Sequence, residues 1–140
     1  MITMAGSASN YLEEKYINAA FRGETFPVPT GLYLALYTAF PGEAGGANEV
    51  TASWYARQDM AQGGAISTAF TPPADGTTAN AKNILFPAVT TAAITITHVA
   101  LHDALTGGNM LYYTDLVQAK TLQVGDVFSV PVSGMSITAT

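Results

Sequence analysis

The chain has 140 residues, 49% of them hydrophobic and only 11% charged, with a formal net charge of −5. That length holds one domain and one core, and the charge falls far below the roughly 25% of an average domain. Cysteine is absent, which excludes disulfides and thiolate metal sites. The five basic residues, Lys15, Arg22, Arg57, Lys82 and Lys120, are scattered singly, so no stripe exists to neutralise nucleic-acid phosphates.

Residues 1–9 read as an N-terminal arm that only a neighbouring subunit would order. They lack the basic and apolar regions of a signal peptide. Residues 10–140 read as a single domain. Its first element is a helix over residues 10–22. Asn10 is the expected cap, Glu13 follows at capping-box spacing, and Gly23 is the expected stop. Leu12, Tyr16, Ala19 and Ala20 share one face, with Ile17 and Phe21 beside it. A helix this short is marginal alone. It must dock on its own sheet or on a neighbouring subunit.

After Pro27 and Pro29 the pattern turns to β. Leu32–Tyr37 is apolar on both faces, as a central strand requires. Residues 43–49 form a glycine-rich loop. Strands are predicted at Trp54–Met60 and Ala65–Phe70, and the polar stretch Thr71–Lys82 reads as a long loop. Asn83–Phe86 is a brief strand closed by Pro87. Ile94–Val99 alternates cleanly within a strand that runs to Leu101, and a turn at Asp103–Asn109 leads to its hairpin partner Met110–Tyr113. Lys120–Leu122 leads to a turn at Gly125–Asp126, and Val127–Val132 and Met135–Thr140 complete the set. About eight strands after one helix predict an all-β fold, an antiparallel β-sandwich of jelly-roll or immunoglobulin-like type. Its apolar stretches are strand-length, and none is expected to span a membrane.

Nothing in the pattern predicts catalysis, a cofactor or a metal. His98 and His102 stand four apart, but on a strand that spacing separates them by about 13 Å at ~3.3 Å per residue, too far to share an ion. No Gly-x-Ser-x-Gly elbow and no phosphate loop is present. Arg57 lies in an apolar stretch. If buried it needs a partner, and Asp103 or Asp126 is the expected acid.

Several stretches, in order, carry a resemblance. They are Asn10–Glu13 opening a helix, Leu32–Ala39, Glu49 with Tyr55–Arg57, Thr97–Ala104 with Thr106–Tyr112, Lys120–Thr121, Gly125–Asp126 and Ser133–Thr138. Together they resemble a family of small tailed-bacteriophage virion proteins, labelled tail fibre or head decoration protein. The resemblance covers nearly the whole chain and implies a non-enzymatic structural subunit.

The function expected first is capsid decoration: a cement protein on the outer capsid surface that bridges subunits of the major capsid protein, as a homotrimer. The alternative is a tail fibre or tail-tip component that touches a host surface glycan. A carbohydrate-binding module comes third, with Trp54, Tyr55, Tyr112 and Tyr113 as a stacking platform. The residues expected at interfaces are Met1, Ile2, Met4, Phe40, Trp54 and Tyr55.

Overall fold

A computed structural model describes residues 2–3 and 8–139. Strand β1 (Ile2–Thr3) precedes helix α1 (Asn10–Arg22), and eight strands follow among the described residues. These are β2 (Tyr33–Tyr37), β3 (Gln58–Asp59), β4 (Thr77–Ala79), β5 (Ile84–Leu85), β6 (Ile94–His102), β7 (Met110–Leu122), β8 (Ser129–Val130) and β9 (Met135–Thr138). The fold is all-β with antiparallel sheets and one N-terminal helix. The exception to antiparallel pairing is β1, which runs parallel to β9.

The main sheet has the order β3-β2-β6-β7. Strand β2 is central, so both its faces are covered. Leu34 and Leu36 enter the main core with Val99 and Leu101 of β6. Ala35 and Tyr37 point the other way, into a second buried cluster with Ala100 and Met110. Sheets β1-β9-β4 and β5-β8 close the main core with Met135, Ile84 and Val130. The apolar alternation read in the sequence is therefore resolved into two cores, one on each side of β2.

Strands β6 and β7 form the longest pairing, antiparallel from Ile94↔Leu122 to His102↔Met110. Between Ile96↔Lys120 and His98↔Asp115 the register shifts. Here β7 carries extra residues and bulges outward, and Val117 is 97% exposed. The hairpin partner expected at Met110–Tyr113 runs on as one strand through Leu122.

Three other expectations are corrected. Trp54–Met60 supplies only β3, because Tyr55 N–H bonds to Ala52 O at 3.0 Å in a turn that sends the Trp54 ring into the core. Ala65–Phe70 contains a 3-10 turn at Ile66–Thr68, where Thr68 Oγ1 bonds to Ala65 O at 2.6 Å and local bonding replaces the ladder. The stretch read as a loop at Thr71–Lys82 contains β4, preceded by a tight turn at Asp75 (φ 49°) and Gly76 (φ 73°). Both turn positions need positive φ, which Asp-Gly adopts readily.

The N-terminal segment is not a free arm where it is described. Ile2 N–H donates to Gly134 O at 2.8 Å, and the Ile2 side chain packs on the core. Ala8 bridges to Tyr112. Met1 and Met4 lie outside the described residues.

Candidate functional site

A polar cluster lies beside β2, where three loops meet. Arg57 follows the Trp54–Tyr55 turn. Its Nε and Nη2 donate to Glu49 Oε2 and Oε1 at 2.8 and 2.9 Å, a two-pronged pair. Nη1 donates to Ala104 O and Gly107 O, both at 2.8 Å. Tyr55 Oη donates to Glu49 Oε2 at 2.6 Å and accepts Leu36 N–H at 3.2 Å. One guanidinium thus ties the 43–49 loop, the Tyr55 turn and the 103–109 hairpin turn to the central strand.

The expected acids of Arg57 are engaged elsewhere. Asp103 accepts Asn109 N–H at 2.6 Å and Asn109 Nδ2 at 2.9 Å, closing the hairpin turn on itself. Asp126 accepts Gln123 N–H at 2.8 Å in its own turn. Both are short side chains bonded to nearby backbone, as Asp prefers in turns. Glu49 reaches farther, and the isolated bridge Tyr37↔Glu49 holds its backbone beside β2. That bridge is a tertiary contact with no local sequence signal.

The protonation states fit a structural cluster. Burial raises the Glu49 carboxyl, but hydrogen bonds from Arg57 and Tyr55 outweigh it and hold the group below the ordinary carboxylate range. The bond to Glu49 raises Arg57 against the cost of burial. Burial first, and then Glu49, push the Tyr55 phenol up. Tyr37, buried beneath the cluster, is pushed up by burial to about 12. His102 is lowered to about 4, mainly by burial and then by Arg57. It is therefore neutral near pH 7, and its Nε2 shares a hydrogen bond with the protonated Tyr37 Oη at 2.6 Å. His102 Nδ1 has no hydrogen-bond partner among the described residues.

His98 pairs instead with Thr97 Oγ1 at 2.8 Å and meets the Phe40 ring edge-on at 6.1 Å. Among the described residues no group of three or more His, Cys, Asp and Glu is placed to hold a metal ion, and no helix is long and apolar enough to cross a membrane. Beside Arg57 an open cleft of about 370 Å³ is lined by Glu49, Val50, Tyr55, Leu105 and Gly107. Glu49, Tyr55 and Arg57 on its wall already bond to one another.

The expected interface aromatics divide. Trp54 is only 8% exposed and belongs to the core. Tyr55 is half-buried and stacks on Phe86 with centroids 6.1 Å apart. The turn that precedes Arg57 carries Trp54 into the core, while Tyr55 stays on the wall of the cleft, bonded to Glu49 and Leu36. Phe40 is exposed, with its edge against Tyr113 at 5.6 Å. Tyr112 packs against the core and lines a groove of about 410 Å³ beside α1, with Leu12, Tyr16, Phe26 and Thr138.

Helix α1 is the other notable surface. Ser9, not Asn10, caps it: Ser9 Oγ accepts Leu12 N–H at 3.2 Å and also donates to Met110 O. Ser9 N–H donates to Leu111 O at 2.8 Å, so the cap itself is pinned to β7. Gly23 ends the helix at φ 71°. Yet α1 fully buries none of its residues, and Tyr16, Ile17 and Phe21 are all exposed.

The chain is thus a small layered β domain whose polar cluster fastens its own loops and whose helix exposes Tyr16, Ile17 and Phe21. The chain belongs to the podophage GP4 fiber I protein gp80 family, whose profile matches residues 7–138. It is therefore a phage virion structural protein. No curated protein matches the chain.

Proposed function

We propose that the chain is a non-enzymatic subunit of the fibre apparatus of a podophage virion, acting in contact with the host rather than as a cement on the capsid. The match to a fibre family across residues 7–138 carries this reading. It favours the fibre alternative over the capsid decoration expected first from the sequence. The fold supports a structural part, since the bonds of Arg57, Glu49 and Tyr55 all run within the chain. The charge-poor surface supports assembly with other subunits, and a homotrimer remains the stoichiometry proposed for the chain by itself, to be read by light scattering.

The test is location. Immunogold labelling of intact virions with an antibody to the chain should mark the tail end. Label spread evenly over capsid faces would restore the decoration reading.

A further inference from the structure

Helix α1 is fastened to the body at its N-terminal end. Ser9 caps it and also bonds through Oγ to Met110 O and through its N–H to Leu111 O on β7. The helix fully buries none of its own residues, so it does not close down on the sheet. A groove of about 410 Å³ remains between them. Leu12, Glu13 and Tyr16 of α1 line one side with Phe26, and Tyr112 of β7 and Thr138 of β9 line the other.

The groups in this groove are not engaged with one another. Elsewhere the rings of Tyr37 and His102, Phe40 and Tyr113, Trp54 and Tyr55, and Phe86 and Phe128 pair. Among the described residues the rings of Tyr16, Phe26 and Tyr112 have no such partner. The Glu13 carboxylate has no cation within ion-pair distance among them, and neither it nor the phenols of Tyr16 and Tyr112 makes a hydrogen bond to a described residue. Burial first, and then the Glu13 charge, raise the Tyr112 phenol. It therefore keeps its proton at neutral pH and lies within the field of Glu13.

Size and chemistry select the occupant. The volume falls in the range of small-ligand clefts, roughly 300–1,000 Å³. A second copy or another virion protein would have to cover about 800 Å² of this chain, of which the groove supplies only a corner. Glu13 repels an anion. A purely apolar ligand would leave the carboxylate and both phenols without partners. An alkylammonium would answer the carboxylate, but it carries no acceptor for the phenol hydrogens. A neutral sugar ring answers all of them. Its hydroxyls donate to Glu13 and accept from the phenols, and its C–H face lies against an aromatic ring.

We propose that this groove binds one uncharged pyranose ring of a host-surface glycan, with hydroxyls on Glu13 and Tyr112 and a C–H face on the aromatic wall. The binding rests on the groove alone, and the host as the source of the sugar rests on the host-contact reading above.

Amide NMR of the full-length chain tests it, with the methyl glycosides of glucose, galactose, mannose and N-acetylglucosamine as probes and choline as the cationic comparison. At least one glycoside should shift the amides of Ala8, Leu12, Thr138 and Ala139 and reach saturation. Tyr16→Ala should weaken that binding by about ten-fold, and Glu13→Gln should weaken it several-fold. Both side chains are exposed, so the thermal melts of the variants should stay close to that of the parent. The proposal is overturned if no glycoside gives a saturable shift, if choline binds more tightly than every glycoside, or if the sugar shifts survive both substitutions. Immunogold label on capsid faces would remove the host as the source and leave the glycoside titration as it stands. Label at the tail with no glycoside bound would sink the groove and leave the host-contact reading in place.

Discussion

Among the described residues, two ion pairs of the same type stand in opposite surroundings. Arg57 and Glu49 meet at 2.8 Å with side chains 8% and 22% exposed, and they join three loops to the central strand. Arg22 and Glu24 meet at 4.0 Å with side chains 67% and 55% exposed, at the end of a helix that fully buries nothing. In the first region the guanidinium is buried, so its donors must find acceptors within the fold. In the second, solvent screens the charges and the side chains are free. The loop cluster is thus a fastening within the subunit, and the helix end is exposed surface.

The largest effect should come from cutting the fastening. Arg57→Ala leaves Glu49 partly buried and uncompensated, and it frees the carbonyls of Ala104 and Gly107. Such losses cost about 3 kcal/mol, which chemical denaturation would measure. Arg57→Lys should recover only part of this, since an ammonium cannot span both Glu49 oxygens.

Acid should act on the same region. His102 is held near 4 in the folded chain, below its value of about 6.5 when unfolded. The unfolded chain therefore takes up a proton first as the pH falls, and stability is lost from about pH 6.5 downward toward 4. Glu49, held low in the folded chain, acts in the same direction once the pH drops through the carboxylate range. The melting temperature should fall by roughly 5–10 °C between pH 7 and 4. His102→Gln should flatten the part of the slope between pH 6.5 and 5. An unchanged slope would assign the acid loss to other groups.

Smaller effects belong to the helix. Ser9→Ala removes the cap bond to Leu12 and the bond to Met110 and should cost about 1 kcal/mol. Asn10→Ala should cost far less, because Asn10 is not the cap. Arg22→Ala should change stability by no more than about 0.5 kcal/mol. A larger loss there would mean that the exposed pair is stronger than its geometry allows, and would weaken the contrast between the two regions.

Residues 10–22, the central strand and the β6–β7 hairpin were legible in the sequence because their signals are local. A stop glycine, apolar residues on both faces and β-branched alternation act over a few positions. The all-β class and the virion family were legible for the same reason, from the order of short motifs. The Asp75–Gly76 turn before β4 was also local and could have been read from its dipeptide. The partner of Arg57 was not. Asp103 and Asp126 looked available, but their own turns claim them, and only the bridge between Tyr37 and Glu49 brings the right carboxylate within reach. The fate of Trp54 turned on one backbone bond from Tyr55 to Ala52, which converts an apparent strand and exposed aromatic into a core residue. Composition and periodicity set which segments become helix or strand and that much of the surface would be poor in charge. Which face of α1 meets the body, and which acid meets Arg57, depend on contacts between residues distant in sequence, and those energies exist only once the sheets have closed.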